Sequence, residues 1–329
     1  MRNARIIGTG MSVPERVVPN SWFNERLGED VDTWLRENLT IRERRWMSEG
    51  EKLSEFIISA IRKAMKMADI TPEEVDLLII STDTPEFISP STASVVCYEA
   101  GLVNAASFDL NTACAGFVTA SETAVNFIKA DKRYEHAIVV GAYGMSRYLN
   151  LDDKKTVTLF ADGASAAVLK ATKDEVSHHL SSDIQTKGEY NDYMGIYHGG
   201  SAHPVDAESI EQNMHKLVFA KKFPKELNPI MWTKMIRTVA DRGGFNVSEI
   251  KRAYMTQINI NQIYETMDNL KLPRETATTI MSTYGYTGSA AIGMAMDISN
   301  RKGELEKGDV IVMMGSGGGL TFACNAFRW

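Results

Sequence analysis

Cysteine is scarce in this chain. Only Cys97, Cys114 and Cys324 occur, an odd number without a CxxC pair, which excludes a disulfide framework and fits reduced surroundings. Long apolar runs are also missing. The longest strong one, Leu77-Leu78-Ile79-Ile80, falls far short of the ~20 residues that a membrane helix needs. The opening stretch Met1–Ile6 lacks the apolar core of a secretory leader. Positive charge is not in excess: 36 Lys and Arg face 42 Asp and Glu, a net charge of −6, so no basic face advertises nucleic acid or an anionic membrane. HExxH, GxxxxGK[ST], heptad and collagen patterns are absent, which excludes a zincin, a P-loop NTPase and a fibrous protein. The expectation is a soluble cytoplasmic protein. Its 329 residues, 44% hydrophobic and 24% charged, suffice for a large core in about two domains or one large body.

What is there repeats itself weakly. A helical pattern over Phe56–Ala64 leads into Thr71-Pro72-Glu73-Glu74, which reads as a helix start, and then into the strand-like run Val75–Ser81. A second helical pattern, Ile230–Arg237, leads into Val247-Ser248-Glu249-Ile250 and the strand-like Arg252–Thr256. Glu74 and Glu249 lie 175 residues apart. Cys114-Ala115-Gly116 opens a helix that ends before the strand Ala137–Gly141, and Gly288-Ser289-Ala290 opens one before Val310–Gly315; the offset there is 174. A nearly shared offset predicts a duplicated α/β unit, with mostly parallel sheets covered by helices. Residues from about 175 to 227 have no counterpart and read as an inserted loop region.

The chemistry concentrates in two places. In Phe108-Asp109-Leu110-Asn111-Thr112-Ala113-Cys114-Ala115-Gly116-Phe117, a short strand runs through small residues into a cysteine and a helix. That position predicts a thiol at a helix N-terminus with a depressed pKa. Cys97 and Cys324 lie in apolar patterns and read as core residues. The second place is Gly315-Ser316-Gly317-Gly318-Gly319-Leu320 after an apolar strand. It fails GxGxxG, so a dinucleotide site is not expected. Its glycines permit close backbone approach, and an amide at Gly318 would join that of Cys114 in an oxyanion hole.

These motifs, together with Ile41-Arg42-Glu43-Arg44 and Phe160-Ala161-Asp162-Gly163-Ala164, resemble 3-oxoacyl-acyl-carrier-protein synthase III (KAS III), a thiolase-superfamily family of condensing enzymes. The resemblance runs from Arg5 to Trp329. It implies an α/β thiolase-like fold: a duplicated five-layer αβαβα arrangement of mostly parallel mixed sheets, each half five-stranded. Residues 1–174 would form the half carrying Cys114, and residues 175–329 the half carrying the Thr256, Tyr286 and Gly318 loops. It further implies a homodimer with no bound cofactor and with acyl-CoA or acyl-carrier protein as substrate. The matching cysteine takes an acyl group from acyl-CoA; a His and an Asn then help decarboxylate malonyl-carrier protein.

The match breaks at that pair. Thr256, in Thr256-Gln257-Ile258-Asn259, occupies the histidine position, and Tyr286, in Gly285-Tyr286-Thr287-Gly288, occupies the asparagine position, with the 30-residue spacing between them kept. An arginine associated with CoA or carrier phosphates is replaced by Asn261, while Trp34, matching an adenine-stacking tryptophan, is retained and Lys154 keeps the charge of a nearby arginine. Trp34, Arg42, Lys154 and Asn259 are the expected CoA or carrier contacts, and Cys114, Thr256 and Tyr286 the expected catalytic set. A thiolate and an oxyanion hole suffice to load an acyl group. Losing the histidine removes a general acid or base contribution of roughly 10²–10⁴-fold from decarboxylation. His198 and His203 are the stand-ins available in the insertion, and Glu86 is a potential carboxylate base. The expected activity is acyl transfer through acyl-Cys114 to a second acceptor. The alternative is decarboxylative condensation with malonyl-carrier protein, and a non-catalytic partner subunit comes third, since Cys114 is intact.

Overall fold

A computed structural model describes residues 2–329. Two mixed sheets organise it, and the strands of these two sheets are numbered here in chain order. The first sheet draws on β1 (Asn3–Ser12), β2 (Leu77–Ser81), β3 (Ala106–Leu110), β4 (His136–Gly144) and β5 (Asp162–Thr172), in the order β1-β5-β4-β2-β3. The second draws on β6 (His178–Thr186), β7 (Ile250–Met255), β8 (Val310–Gly317) and β9 (Thr321–Arg328), in the order β7-β8-β9-β6. Read from the other edge, the second order repeats the first: β6 stands for β1, β9 for β5, β8 for β4 and β7 for β2.

Helices separate and cover the sheets. The long helices are α1 (Leu53–Ala68), α2 (Gly116–Ala130), α3 (Leu227–Gly243), α4 (Ile260–Leu270) and α5 (Ala291–Arg301). α2 and α5 lie between the sheets and touch both, α1 covers the outer face of the first, and α3, with α4 on it, covers the second. Five layers result. β2 reads Leu-Leu-Ile-Ile-Ser and is buried at every position, as a strand covered on both faces must be.

The repeat extends to local geometry. Before β2, Thr71 and Glu74 close a capping box around a 3₁₀ turn, Pro72–Glu74; before β7, Asn246 and Glu249 do the same around Val247–Glu249. Ala113 and Gly288, 175 residues apart, both take φ 47° at the turns that launch α2 and α5.

Four expectations change. The sheets are mixed, as expected, but not mostly parallel: β2 pairs parallel with β3 and β4, and β7 with β8, whereas β1/β5, β4/β5, β8/β9 and β9/β6 are antiparallel. β9 follows β8 after Gly318–Leu320 alone, too short a connection for a crossover, so it runs back, and β5 also runs antiparallel to β4 across the longer connection Met145–Ala161. The second sheet has four strands, its fifth reduced to a single bridge between Ala253 and Ala277. The segment without a counterpart also starts later than expected, because His178–Thr186 is the edge strand β6. Thr71–Glu74, read as a helix start, is a single 3₁₀ turn.

Candidate active site

Cys114 sits where β3 hands over to α2, in a 3₁₀ turn over Ala113–Ala115. Asn111 Oδ1 accepts from the Ala113 amide at 2.9 Å, and Thr112 Oγ1 donates to Thr119 Oγ1 at 3.0 Å, tying the turn to the first turns of α2. The end of β8 lies directly against it. A β-carbon at Gly317 would come within 2.1 Å of the Thr112 carbonyl oxygen and 2.8 Å of the Cys114 nitrogen, so only glycine fits there. Gly318 follows at once, partly buried beside Met194.

The second half contributes Thr256 from the equivalent strand end and Tyr286 from the turn before α5. Thr256 follows β7 and continues its ladder, with its amide donating to Met314 O at 3.0 Å. Its hydroxyl accepts from the Ser316 amide at 2.8 Å and lies 3.4 Å from Ser316 O. Tyr286 is stitched to the first half: its amide donates to Leu159 O, and its carbonyl accepts from Ala161, both at 2.9 Å. Its ring tilts against Phe160 at 5.5 Å, and its hydroxyl interacts with both the Cys114 thiol and Thr256. Cys114, Thr256 and Tyr286 are thus brought together, each at most 2% exposed.

Two neighbours were not anticipated. Tyr143, near the end of β4, also bears on the thiol, and its ring packs where a β-carbon on residue 288 would stand, 2.3 Å away. Asp83, just beyond β2, bears electrostatically on Cys114, Tyr143 and Tyr286. Strand-end position was the available signal for both, since ligand sites gather at the carboxyl ends of strands.

The thiol contradicts one expectation. Burial, reinforced by the Asp83 charge, pushes the Cys114 pKa up to about 12, with hydrogen bonds from Tyr286 and Tyr143 offsetting only part. Desolvation outweighs the helix N-terminus, whose effect is worth at most about 2 kcal/mol. Burial likewise raises both tyrosine hydroxyls well above their ordinary range, and lifts Asp83 to about 6.

The remaining expected residues lie elsewhere. Trp34, 55% exposed, and Lys154 line one cavity of about 390 Å³ with Val31, Leu35 and Leu159. There Lys154 Nζ bridges both Glu29 carboxylate oxygens at 3.0 Å. Arg42 is exposed and outside that lining. Asn259 caps α4, its Oδ1 accepting from the Asn261 amide at 2.9 Å. Glu86 is committed to a helix start, accepting from the Ser54 amide at 2.7 Å. His198 and His203 stack on each other at 5.1 Å within the insertion. Cys324 is buried in β9, and Cys97 is half-buried.

A buried thiol on a strand-to-helix turn, facing hydroxyls from a duplicated second half, defines a thiolase-fold acyl-transferring enzyme. The model of 3-oxoacyl-[acyl-carrier-protein] synthase III matches residues 108–188, and that of its C-terminal region matches residues 240–329. The beta-ketoacyl-[acyl-carrier-protein] synthase III of Clostridioides difficile is 33% identical, over 99% of this chain and 98% of its own. The acetoacetyl CoA synthase NphT7 of Streptomyces sp. is also 33% identical, over 99% and 98%. Among solved structures, the 3-oxoacyl-(acyl carrier protein) synthase III of Pseudomonas aeruginosa superposes with a TM-score of 0.90 at 28% identity, covering 99% of this chain and 98% of the other. The chain belongs to the 3-oxoacyl-acyl-carrier-protein synthase III family and is an acyltransferase. No helix among the described residues is long and apolar enough to cross a membrane.

Proposed function

We propose that the protein takes an acyl group from an acyl-CoA or acyl-carrier-protein thioester onto Cys114 and passes it to a second acceptor. The observation that carries this is the thiol itself, held at a strand-to-helix turn with Gly317 pressed on its amide. The Cys114 sulfur attacks the thioester carbonyl, and the amides of Cys114 and Gly318 receive the oxyanion. CoA enters past Trp34 and Lys154, whose ring and ammonium group suit an adenine and a phosphate. The halves 1–174 and 175–329 meet at this site and supply the nucleophile and the facing loops respectively.

A second reading is favoured by the relatives, whose names are those of a beta-ketoacyl-carrier-protein synthase and an acetoacetyl CoA synthase. In it the acceptor is the carbanion from a malonyl thioester, and the hydroxyls of Tyr286 and Thr256 stabilise the enolate oxygen. Thr256 is already engaged with Ser316, and Tyr286 with the thiol, so these donors are less free than an imidazole and a carboxamide. Intact-protein mass after incubation with an acyl-CoA panel tests both readings: acyl mass on the native protein and none on Cys114→Ala is expected. Acylation of the alanine variant refutes the assignment of the nucleophile. Condensation with malonyl-carrier protein at ordinary enzymatic rates selects the second reading.

A further inference from the structure

We propose that Asp83 is the proton acceptor of the Cys114 chamber. In loading, the thiol proton passes to the Asp83 carboxylate as sulfur bonds to the acyl carbon, and then to the departing CoA sulfur as the carbon–sulfur bond breaks. In unloading, the acceptor's proton takes the reverse route to Cys114. No further reactant is needed, and the carboxylate is regenerated in each half.

The chemistry of the site calls for such a group. Cys114, Tyr143, Tyr286 and Thr256 are all proton donors at rest, and burial holds the first three protonated. A thiol that does not ionise on its own needs a base during attack. Asp83 is the carboxylate that bears on Cys114, Tyr143 and Tyr286 together, and also on Tyr148.

Its setting differs from that of a structural aspartate. Asp83 Oδ1 is sealed from solvent and has no hydrogen-bond partner. Asp162, as deeply placed, has both oxygens occupied: Oδ1 accepts from the Ser146 amide at 2.8 Å, and Oδ2 from the Met47 amide at 2.7 Å and the Ser146 hydroxyl. Leaving a buried carboxyl oxygen unpaired is costly, and proteins seldom do so without a use for it. The loop is also pinned. The Thr82 amide donates to Leu110 O at 3.1 Å, at the end of the strand that leads to Cys114. Thr84 Oγ1 accepts from the Gly144 amide at 2.8 Å, next to Tyr143. Asp83 is therefore fixed between the strands that deliver the thiol and the phenol.

The substrate in this proposal rests on the acyl-transfer reading, but its test does not. Asp83→Asn and Asp83→Ser are compared with the native protein from pH 5 to 9, using acetyl-CoA loading followed by intact mass and, separately, alkylation of Cys114 by iodoacetamide. Native rates are expected to rise through about pH 6, where the carboxylate ionises. Both variants should lose that rise and react roughly 100-fold more slowly at pH 7.5. Removing a charge that merely repels the thiolate would instead speed both reactions, so equal or faster rates in the variants overturn the proposal. Melting temperatures at or above native identify variants that are folded, and either variant alone decides. If acetyl-CoA loads none of the proteins, the acyl donor is wrong, and the alkylation rates still judge Asp83.

Discussion

The turn that carries Cys114 is held by backbone, whereas the surface opposite is made of side chains. On the first side, Thr112, Cys114 and Ala115 meet the glycine end of β8 at distances that exclude a β-carbon. On the second, Thr256, Tyr143 and Asp83 project from strand ends or the loops beyond them, and Tyr286 from the turn between the short helix Met281–Tyr284 and α5. Backbone geometry tolerates little change of sequence at its contact points. Side chains can be exchanged without disturbing the sheets, and it is there that the sequence leads one to expect a departure from the family's pattern. The difference separates what the backbone fixes, the placement of the thiol, from what the side chains leave adjustable, the chemistry opposite it.

The comparison breaks first at Gly317. Gly317→Ala forces a methyl into the Thr112 carbonyl and the Cys114 amide and should cut acyl loading roughly 100-fold, as ångström-scale misplacement does; stopped acyl-CoA reactions read by mass check it. On the opposite side, Thr256→His with Tyr286→Asn should raise malonyl-thioester decarboxylation at least about tenfold, more than the single changes combined, because both donors serve one oxyanion. Loading measured on the same variants controls for collapse around the lost ring. At the mouth, Trp34→Ala should raise the KM for acyl-CoA roughly fivefold with kcat unchanged, the loss of one stacking surface.

The smallest effect concerns stability. Asp83 and Asp162 stand at about 6 in the fold, against an ordinary value of ~3.9. Between those values the folded chain binds protons that the unfolded chain does not. Stability should therefore increase as pH falls from 7 towards 5, by of order 1–3 kcal/mol. Asp83→Asn should remove its share of that gain, which denaturant titrations at the two pH values would reveal.

Much of this was legible in the sequence because it is periodic or local. The paired landmarks near positions 74 and 249 became matching capping boxes, and the small residues around Cys114 became the predicted strand-to-helix turn. What was not legible depends on contacts between distant segments. Asp83 and Tyr143 bear on Cys114 only because β2, β3 and β4 are neighbours. The direction of the thiol pKa follows burial by both halves, which no local motif records. Glu86 reads as a carboxylate base in the sequence, but in the fold it caps α1, while Asp83, three residues earlier, is the carboxylate that bears electrostatically on Cys114.

The most direct measurement mixes the native protein with acetyl-CoA, quenches over time and locates the added mass by peptide sequencing, before and after malonyl-CoA is supplied. One acetyl group on Cys114, absent from Cys114→Ala and persisting when malonyl-CoA is added, is the predicted result. An acetyl group on another residue would contradict a nucleophile at Cys114. Rapid disappearance of the mass with carbon dioxide release would contradict the claim that the Thr256 and Tyr286 surface is a poor decarboxylating one.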